Sequence, residues 1–140
     1  MKIYIASSWK MENVVKDLAL LLRGEGHEVD CFCDDSNGRY VFHWSEIANK
    51  EELDAISFLA DKRTQKAFRE DKKWLDWAEI CILVVPSGKS AHLEAGYIKG
   101  QGKRLLIYGE FPPGEFDVMY GFADGLYKWD ELDALLKISK

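Results

Sequence analysis

The feature that most constrains the fold is a continuous apolar run from Ile80 to Val85. An alternating pattern would leave one face of a strand to water, whereas an unbroken apolar run is typical of a strand covered on both faces. Such strands occur in parallel sheets that carry helices on each side. A turn of small and polar residues follows, and the next helical pattern contains Glu94. The run therefore predicts a strand, a loop and a helix of an α/β protein.

The rest of the chain repeats this alternation of strands and helices. Further strands are predicted at 2–6, 28–33, 104–108 and 125–128, and helices at 11–23, 50–78 with a break near 61–64, 90–99, 116–122 and 130–138. This order predicts an α/β fold: one three-layer, doubly wound domain with a parallel sheet, flavodoxin-like or Rossmann-like, over residues 1–140.

Composition excludes several classes of protein. The 140 residues are 47% hydrophobic and 31% charged, as in an ordinary globular domain. The net charge of −5 argues against a nucleic-acid partner. No apolar run reaches the roughly 18 residues of a membrane span, and the N-terminus is too short and strand-like for a signal peptide, so we expect a cytoplasmic protein without a membrane partner. Cys31, Cys33 and Cys81 form no CxxC pair, so we expect buried reduced thiols, no metal and no cofactor.

Two polar loops follow predicted strands. Ser7 and Ser8 come directly after the first strand, and Ser87, Gly88 and Ser90 come after the third. Ligands of open α/β sheets bind at this carboxyl edge, and a helix N-terminus there favours an anion such as phosphate. The second loop matches neither the P-loop pattern nor GxGxxG. The alternative is that these residues only cap helices.

Two acids stand near these loops. Glu94 follows Ser90 by one helical turn, and Asp71 shares a helical stripe with Leu75 and Ala78. A carboxylate beside an anion site could attack the anomeric carbon of a sugar while a second acid protonates the leaving base. The alternatives are a capping box for Glu94 and a solvated helix-surface position for Asp71.

Aromatic residues cluster after the first and second strands. Trp9, Tyr40, Phe42 and Trp44 could stack on a nucleobase, and residues 44–47 could begin a short helix. The alternative is that these rings pack the loop against the body of the domain.

These motifs together resemble the nucleoside 2-deoxyribosyltransferase superfamily, including the 2′-deoxynucleoside 5′-monophosphate N-hydrolases. The matching pieces are the first strand with Ser7-Ser8, Asp71 with Trp74-Leu75, the Ser/Gly loop, and Glu94-Ala95-Gly96-Tyr97 followed by Gly102-Lys103. The resemblance covers most of the chain as far as about Tyr120.

The resemblance implies a role for each matching residue. Glu94 is implied to be the nucleophile, and Asp71 to assist at the leaving base. The Ser/Gly loop would hold a 5′-phosphate, and the Ser7-Ser8 loop would line the sugar or phosphate. The segment 116–120 resembles a region that a neighbouring subunit contributes in this superfamily, which implies a homodimer or a higher homo-oligomer.

The chain also departs from the superfamily pattern. The hydrolases carry an arginine near Trp9 and Lys10, and a serine where this chain has Asp117, whose charge would repel a phosphate. Lys89 and His92 are additions that could compensate. Trp9, His92 and Asp117 are therefore candidate substrate-binding residues, and the choice between nucleoside and nucleotide stays open.

The expected function is cleavage or transfer of the N-glycosidic bond of a small-molecule nucleoside, deoxynucleoside or 5′-monophosphate through Glu94. One alternative is a module that senses a nucleotide or an NAD derivative without turnover. Another is a Toll/interleukin-receptor-like NAD glycohydrolase, which also uses a glutamate on a flavodoxin-like sheet.

Overall fold

The domain is built on a five-stranded sheet. The computed structural model describes residues 1–43 and 52–137. The strands are β1 (Lys2–Ala6), β2 (Glu28–Cys31), β3 (Ile80–Val85), β4 (Arg104–Gly109) and β5 (Gly125–Lys128). Their order is β2-β1-β3-β4-β5, and every neighbouring pair is parallel. The predicted parallel sheet is confirmed, in the strand order of flavodoxin-like proteins.

Helices cover both faces of the sheet. They are α1 (Glu12–Gly24), α2 (Ala55–Ala60), α3 (Lys62–Trp77), α4 (Lys89–Gly100) and α5 (Leu132–Leu136), with 3-10 turns at Trp9–Met11, Val118–Phe122 and Trp129–Glu131. Buried side chains of α1 and α5 pack on one face of the sheet, and those of α3 and α4 pack on the other. The predicted three-layer, doubly wound architecture is therefore present.

In strand β1, successive side chains point to opposite faces of the sheet. Ile3 and Ile5 point toward α1 and belong to one core cluster. Tyr4 and Ala6 point the other way and belong to the cluster under α3 and α4. All four are fully buried, as expected of a central parallel strand. The phenol ring of Tyr4 therefore lies on the face of the sheet that α3 and α4 cover.

The ends of some elements differ from their predicted positions. Strand β2 stops at Cys31, because the chain turns there and the Asp34 N–H bonds to the Cys31 carbonyl at 3.4 Å. The predicted long helix does break, at Asp61, whose side chain caps α3 by accepting from the Arg63 N–H. The sequence of α2 and the residues before it predicts an apolar face made of Leu53, Ile56, Phe58 and Leu59, but Ile56 and Leu59 are exposed. The predicted helix at 44–47 and residue 138 lie outside the described residues.

The cysteines follow the prediction. Cys31, Cys33 and Cys81 are buried and free of disulfides, and Cys31 and Cys33 share the α1 face of the sheet. Within the described ranges, no helix combines the length and the apolarity that crossing a bilayer needs.

Candidate active site

The candidate site lies at the carboxyl ends of β1 and β3, where the winding of the sheet reverses. Such a switch point opens a crevice between the two following loops. Ser7 is buried there, and its Oγ donates a hydrogen bond of 2.9 Å to the carbonyl of Val84. A cavity of about 190 Å³ opens between the loops, lined by Ser7, Ser8, Trp9, Phe32, Arg39, Phe42, Asp71, Gly88, Lys89, Ser90, Ala91 and Glu94.

Glu94 forms one wall of this cavity. Helix α4 begins at Lys89 after Gly88, and no side chain caps it. Oε2 of Glu94 instead accepts a hydrogen bond from the hydroxyl of Tyr4, so the capping-box interpretation is wrong. Burial first, and the negative charge of Asp71 second, raise the pKa of Glu94 to about 8, although the Tyr4 hydroxyl opposes the shift. This carboxyl group therefore holds its proton far more readily than an exposed glutamate.

Asp71 also lines the cavity. It lies on α3, and its Oδ1 accepts a hydrogen bond of 2.6 Å from Nη2 of Arg39. Burial raises the pKa of Asp71, and the guanidinium of Arg39 opposes that rise. The interpretation of Asp71 as a purely solvated acid is therefore wrong, because its carboxylate is paired and lines the cavity.

The serine loops cap no helix by their side chains. Ser8 precedes the 3-10 turn Trp9–Met11 without a side-chain cap bond, and Ser7 bonds to β3 instead. On the other side of the cavity, Gly88, Lys89 and Ser90 form the first turn of α4. The N–H groups of the first turn of a helix have no partner within the helix, and Lys89 adds a positive charge, so this corner is suitable for an anion.

Aromatic rings close one side of the cavity. Trp9 packs edge-to-face against Phe32 with ring centroids 5.2 Å apart, and Phe42 also lines the space. Tyr40 does not line it, because its ring lies under the Lys66 ammonium at 3.9 Å. Trp44 lies outside the described residues. Of the three predicted stacking rings that the structure describes, Trp9 and Phe42 line this cavity.

No protein-family model matches the sequence, and no curated protein matches it significantly. Solved structures do match. The CMP N-glycosidase BcmB of Clostridium botulinum superposes with a TM-score of 0.58 at 15% identity, covering 98% of this chain and 95% of that one. The 2-deoxyribosyltransferase of Bacillus psychrosaccharolyticus superposes at 0.63 with 18% identity, covering 97% and 96%. A conserved protein of Enterococcus faecalis V583 matches at 0.53 with 12% identity over 99% and 76%.

The chain has the nucleoside 2-deoxyribosyltransferase-like fold. The likeness extends over nearly the whole length of both named enzymes, so it includes the elements that carry Asp71 and Glu94. The resemblance seen in the sequence is confirmed as a likeness of fold.

The deoxyribosyltransferase-like fold separates the predicted substrate residues into two groups. Ser7, Ser8, Trp9, Gly88 and Ser90 line the cavity with the two acids. Ser87, His92 and Asp117 line a second, larger cavity of about 580 Å³, between α4 and the 3-10 turn Val118–Phe122. Their roles in substrate binding remain predictions.

The second cavity has its own polar contacts. His92 Nδ1 lies 2.8 Å from the Gly88 carbonyl, and its Nε2 lies 2.9 Å from the Tyr120 hydroxyl. The Asp117 carboxylate accepts a 2.8 Å hydrogen bond from the Met119 N–H. Ser87 Oγ is buried without a hydrogen-bond partner among the described residues.

Sequence reasoning missed Tyr4, Arg39 and Asp30. Asp30 and Arg39 are 0% and 5% exposed, and Nε of Arg39 donates a 3.0 Å hydrogen bond to Oδ2 of Asp30. The sequence did contain one signal of this group: Asp30 is a charged residue between Val29 and Cys31 in a buried strand. A buried carboxylate needs a cationic partner, and the loop after β2 supplies one.

The described residues offer no metal site. Within 1–43 and 52–137, no group of three or more His, Cys, Asp or Glu side chains is arranged to hold an ion. The polar chemistry of the smaller cavity resides in two carboxyl groups, one guanidinium, one ammonium, a phenol and several hydroxyls.

Proposed function

We propose that this protein cleaves or transfers the N-glycosidic bond of nucleosides or their 5′-monophosphates, with Glu94 as the nucleophile. The observation that carries the proposal is the placement of Glu94. Its carboxyl group is held by the Tyr4 hydroxyl in the wall of a cavity that Asp71 also lines. An oriented carboxylate with a second acid nearby is the equipment that glycosidic cleavage requires.

The reaction follows from these positions. An oxygen of the Glu94 carboxylate attacks the anomeric carbon, and the bond between that carbon and the base nitrogen breaks. The electron pair of that bond leaves with the base, which takes up a proton with the assistance of Asp71. Water, or the nitrogen of a second base, then displaces Glu94 from the anomeric carbon. The first outcome is hydrolysis, and the second is transfer.

Protonation of the acid pair limits the attack. The pKa of Glu94 lies at about 8, so much of the free enzyme carries a protonated Glu94 at neutral pH, and a protonated carboxyl group is a poor nucleophile. The pKa of Asp71 is also raised by burial. The two groups interact, so their titration belongs to the pair. The proton that Glu94 loses before attack is therefore available near the site where the leaving base needs one.

Lys89 bears on the choice between nucleosides and nucleotides. Its side chain lines the cavity with Gly88 and Ser90 at the start of α4. An ammonium beside helix N–H groups favours a phosphate. This observation supports a 5′-monophosphate as substrate.

The test is a product assay on purified protein. Cytidine and deoxyadenosine, the corresponding 5′-monophosphates and NAD are incubated separately, and free base or nicotinamide is followed by chromatography. Adding a second free base distinguishes transfer from hydrolysis. Release of a nucleobase supports the proposal. Saturable binding in calorimetry without any product would support a sensor instead, and release of nicotinamide alone would support an NAD glycohydrolase.

The expected partner copy of the chain has a candidate surface. The exposed apolar residues Met119 and Phe122 line the larger cavity, and the exposed Leu93, Phe116 and Val118 are chain neighbours of residues that line it. Apolar clusters of this kind mark contact surfaces, which supports the homo-oligomer that the resemblance implies. Sedimentation of the parent and of a Val118→Asp variant tests it, since Val118 is 88% exposed. A monomeric parent would contradict the expectation.

A further inference from the structure

The guanidinium of Arg39 joins elements that are distant in the sequence. Its Nε donates to Oδ2 of Asp30 on β2 at 3.0 Å. Its Nη2 donates to Oδ1 of Asp71 on α3 at 2.6 Å and lies 3.4 Å from the Tyr4 hydroxyl on β1. Its Nη1 donates to the carbonyl of Tyr40 at 3.3 Å. One side chain therefore contacts both the second acid of the cavity and the phenol that binds Glu94.

The sheet register explains why this group is in place. Tyr4 and Asp30 are paired residues on neighbouring parallel strands, so their side chains leave the sheet on the same face, beside α3. Asp30 is fully buried and does not line the cavity. A buried carboxylate behind the reacting groups is costly unless it fixes a cation. Here the cation it fixes is Arg39.

We propose that Arg39, held by Asp30, is a positioning residue that sets where Asp71 and the Tyr4 hydroxyl stand relative to Glu94. This inference rests on the proposed function for its meaning in catalysis. A lysine cannot replace the group, because the planar guanidinium reaches four acceptors in fixed directions while an ammonium is a single point charge. Asp30 acts indirectly, because its carboxylate fixes Nε of Arg39 by a hydrogen bond.

Charged and titratable groups face Glu94 from every element packed against it, namely Tyr4 on β1, Asp30 on β2, Arg39 in the following loop, Asp71 on α3 and Cys81 on β3. Arg39 is the cation of this set, and it lowers the pKa of both Glu94 and Asp71. Removing the charge of Arg39 is therefore expected to raise the pKa of Glu94, whereas removing an arginine with a purely structural role would not.

Carboxyl titration by carbon-13 NMR tests the inference without any substrate. In Arg39→Gln, the midpoint of Glu94 is expected to rise by about one pH unit, the lower end of the shift that a neighbouring opposite charge produces. In Arg39→Lys the charge remains, and the midpoint is expected to stay near that of the parent. Arg23→Gln is the matched control, because Arg23 also bonds to an aspartate and to a β2 carbonyl, Asp34 and Val29. It should leave the midpoint unchanged.

Kinetic measurements distinguish the positioning role of Arg39 from the effect of its charge. Arg39→Lys is expected to lower kcat by about 10-fold to 100-fold even with the charge restored, because Asp71 and Tyr4 lose their fixed partner. Return of kcat to the parent value in Arg39→Lys would overturn the inference. An unchanged Glu94 midpoint in Arg39→Gln would overturn it as well.

A measurement on the parent covers the case in which Arg39→Gln does not fold. The Nε–H of Arg39 is expected to exchange slowly with solvent, and Asp30→Asn should accelerate this exchange by about 10-fold, as expected for loss of a charge-assisted hydrogen bond. Rapid exchange in the parent would contradict the positioning role. A parent that releases no base from any nucleoside or nucleotide would refute the proposed function alone, because the titration and the exchange need no turnover.

Discussion

The hydroxyl of Tyr4 on β1 donates a hydrogen bond to Oε2 of Glu94 on α4. The contact joins the centre of the sheet to the helix that follows the polar loop of β3. Tyr4 is fully buried, so its ring is held by the core and its hydroxyl has little freedom. Glu94 thereby gains a fixed orientation toward the cavity, which a nucleophile needs if it is to attack in a single direction.

Replacing Glu94 tests its proposed role as the nucleophile. Glu94→Gln keeps the size of the side chain and can still accept the Tyr4 hydrogen bond, but an amide cannot form the glycosyl ester. We expect kcat for base release to fall about 1000-fold or more. Free base is measured by chromatography under saturating substrate.

The matched control is Glu79→Gln. Glu79 is exposed and accepts a hydrogen bond from the Lys2 N–H, at the amino end of the sheet. Equal activity of Glu94→Gln and the control would refute the role of Glu94.

Tyr4→Phe tests how the hydroxyl supports Glu94. The phenylalanine ring preserves packing, so we expect a folded enzyme whose kcat/KM falls about 10-fold, the size expected for one hydrogen bond to a charged group. In the parent, kcat/KM should rise with pH toward a plateau above about pH 8, because Glu94 with its pKa of about 8 must be ionised. The variant should move this rise to higher pH, since the Tyr4 hydroxyl lowers the pKa of Glu94.

Tyr108→Phe is the control for that profile. Tyr108 is also a buried tyrosine, but it belongs to the core cluster on the opposite face of the sheet, and its hydroxyl bonds to the Trp129 carbonyl. Its pH profile should coincide with that of the parent. A Tyr4→Phe profile identical to the parent would mean that the hydroxyl does not assist Glu94.

Stability should also depend on Glu94. Its pKa is about 4.5 in the unfolded chain and about 8 in the folded one, so the folded state binds the proton more tightly. The stabilisation is complete below about pH 4.5 and is lost as pH rises to 8. Within that window this group should make the free energy of unfolding fall steadily as pH rises. Urea unfolding at several pH values measures the slope, and Glu94→Gln should remove it. The same slope in parent and variant would contradict the raised pKa.

Strands that are buried on both faces could be predicted from the sequence, because their residues form an unbroken apolar run. Ile80–Val85 is buried throughout and is found where the apolar pattern placed it. Gly125–Lys128 is also found where it was predicted, although none of its residues is fully buried. The end of β2 could not be predicted in this way. Cys33 is buried but lies beyond the last ladder pair at Cys31, so burial alone does not define a strand.

The acids of the site could be predicted, but not what holds them. Glu94 and Asp71 follow recognisable local patterns. In the sequence, Tyr4 resembles any core residue of a central strand, because its contact with α4 exists only in the folded chain. The role of Arg39 likewise depends on its partners on β2 and α3, which are distant in the sequence. The loop after β3 shows the same limit, because Ser87 and Gly88 are neighbours in the chain yet line different cavities.

Gly109 should be essential for the fold. It ends β4 with φ of 146°, and a Cβ at this position would stand 1.9 Å from the Val85 carbonyl oxygen. Gly109→Ala should destabilise the protein by about 3 kcal/mol, because it combines backbone strain with a clash against backbone. Gly96→Ala on α4 is the control, since its Cβ meets nothing within 4 Å, and it should add about 0.5–1 kcal/mol. Equal urea midpoints for the two variants would contradict this.

Replacing Lys89 tests whether the cavity prefers nucleotides. Lys89 is among the residues that line the cavity, at the first turn of α4, so Lys89→Ala should lower kcat/KM for a 5′-monophosphate by about 10-fold or more, as expected for loss of one charge-assisted contact. The value for the matching nucleoside should change little, because it carries no phosphate. Both substrates are assayed side by side at low ionic strength, where a partly exposed charge acts most strongly. Lys62→Ala, an exposed position at the start of α3, controls for loss of net charge. An equal loss for nucleoside and nucleotide in Lys89→Ala would show that Lys89 does not bind the phosphate.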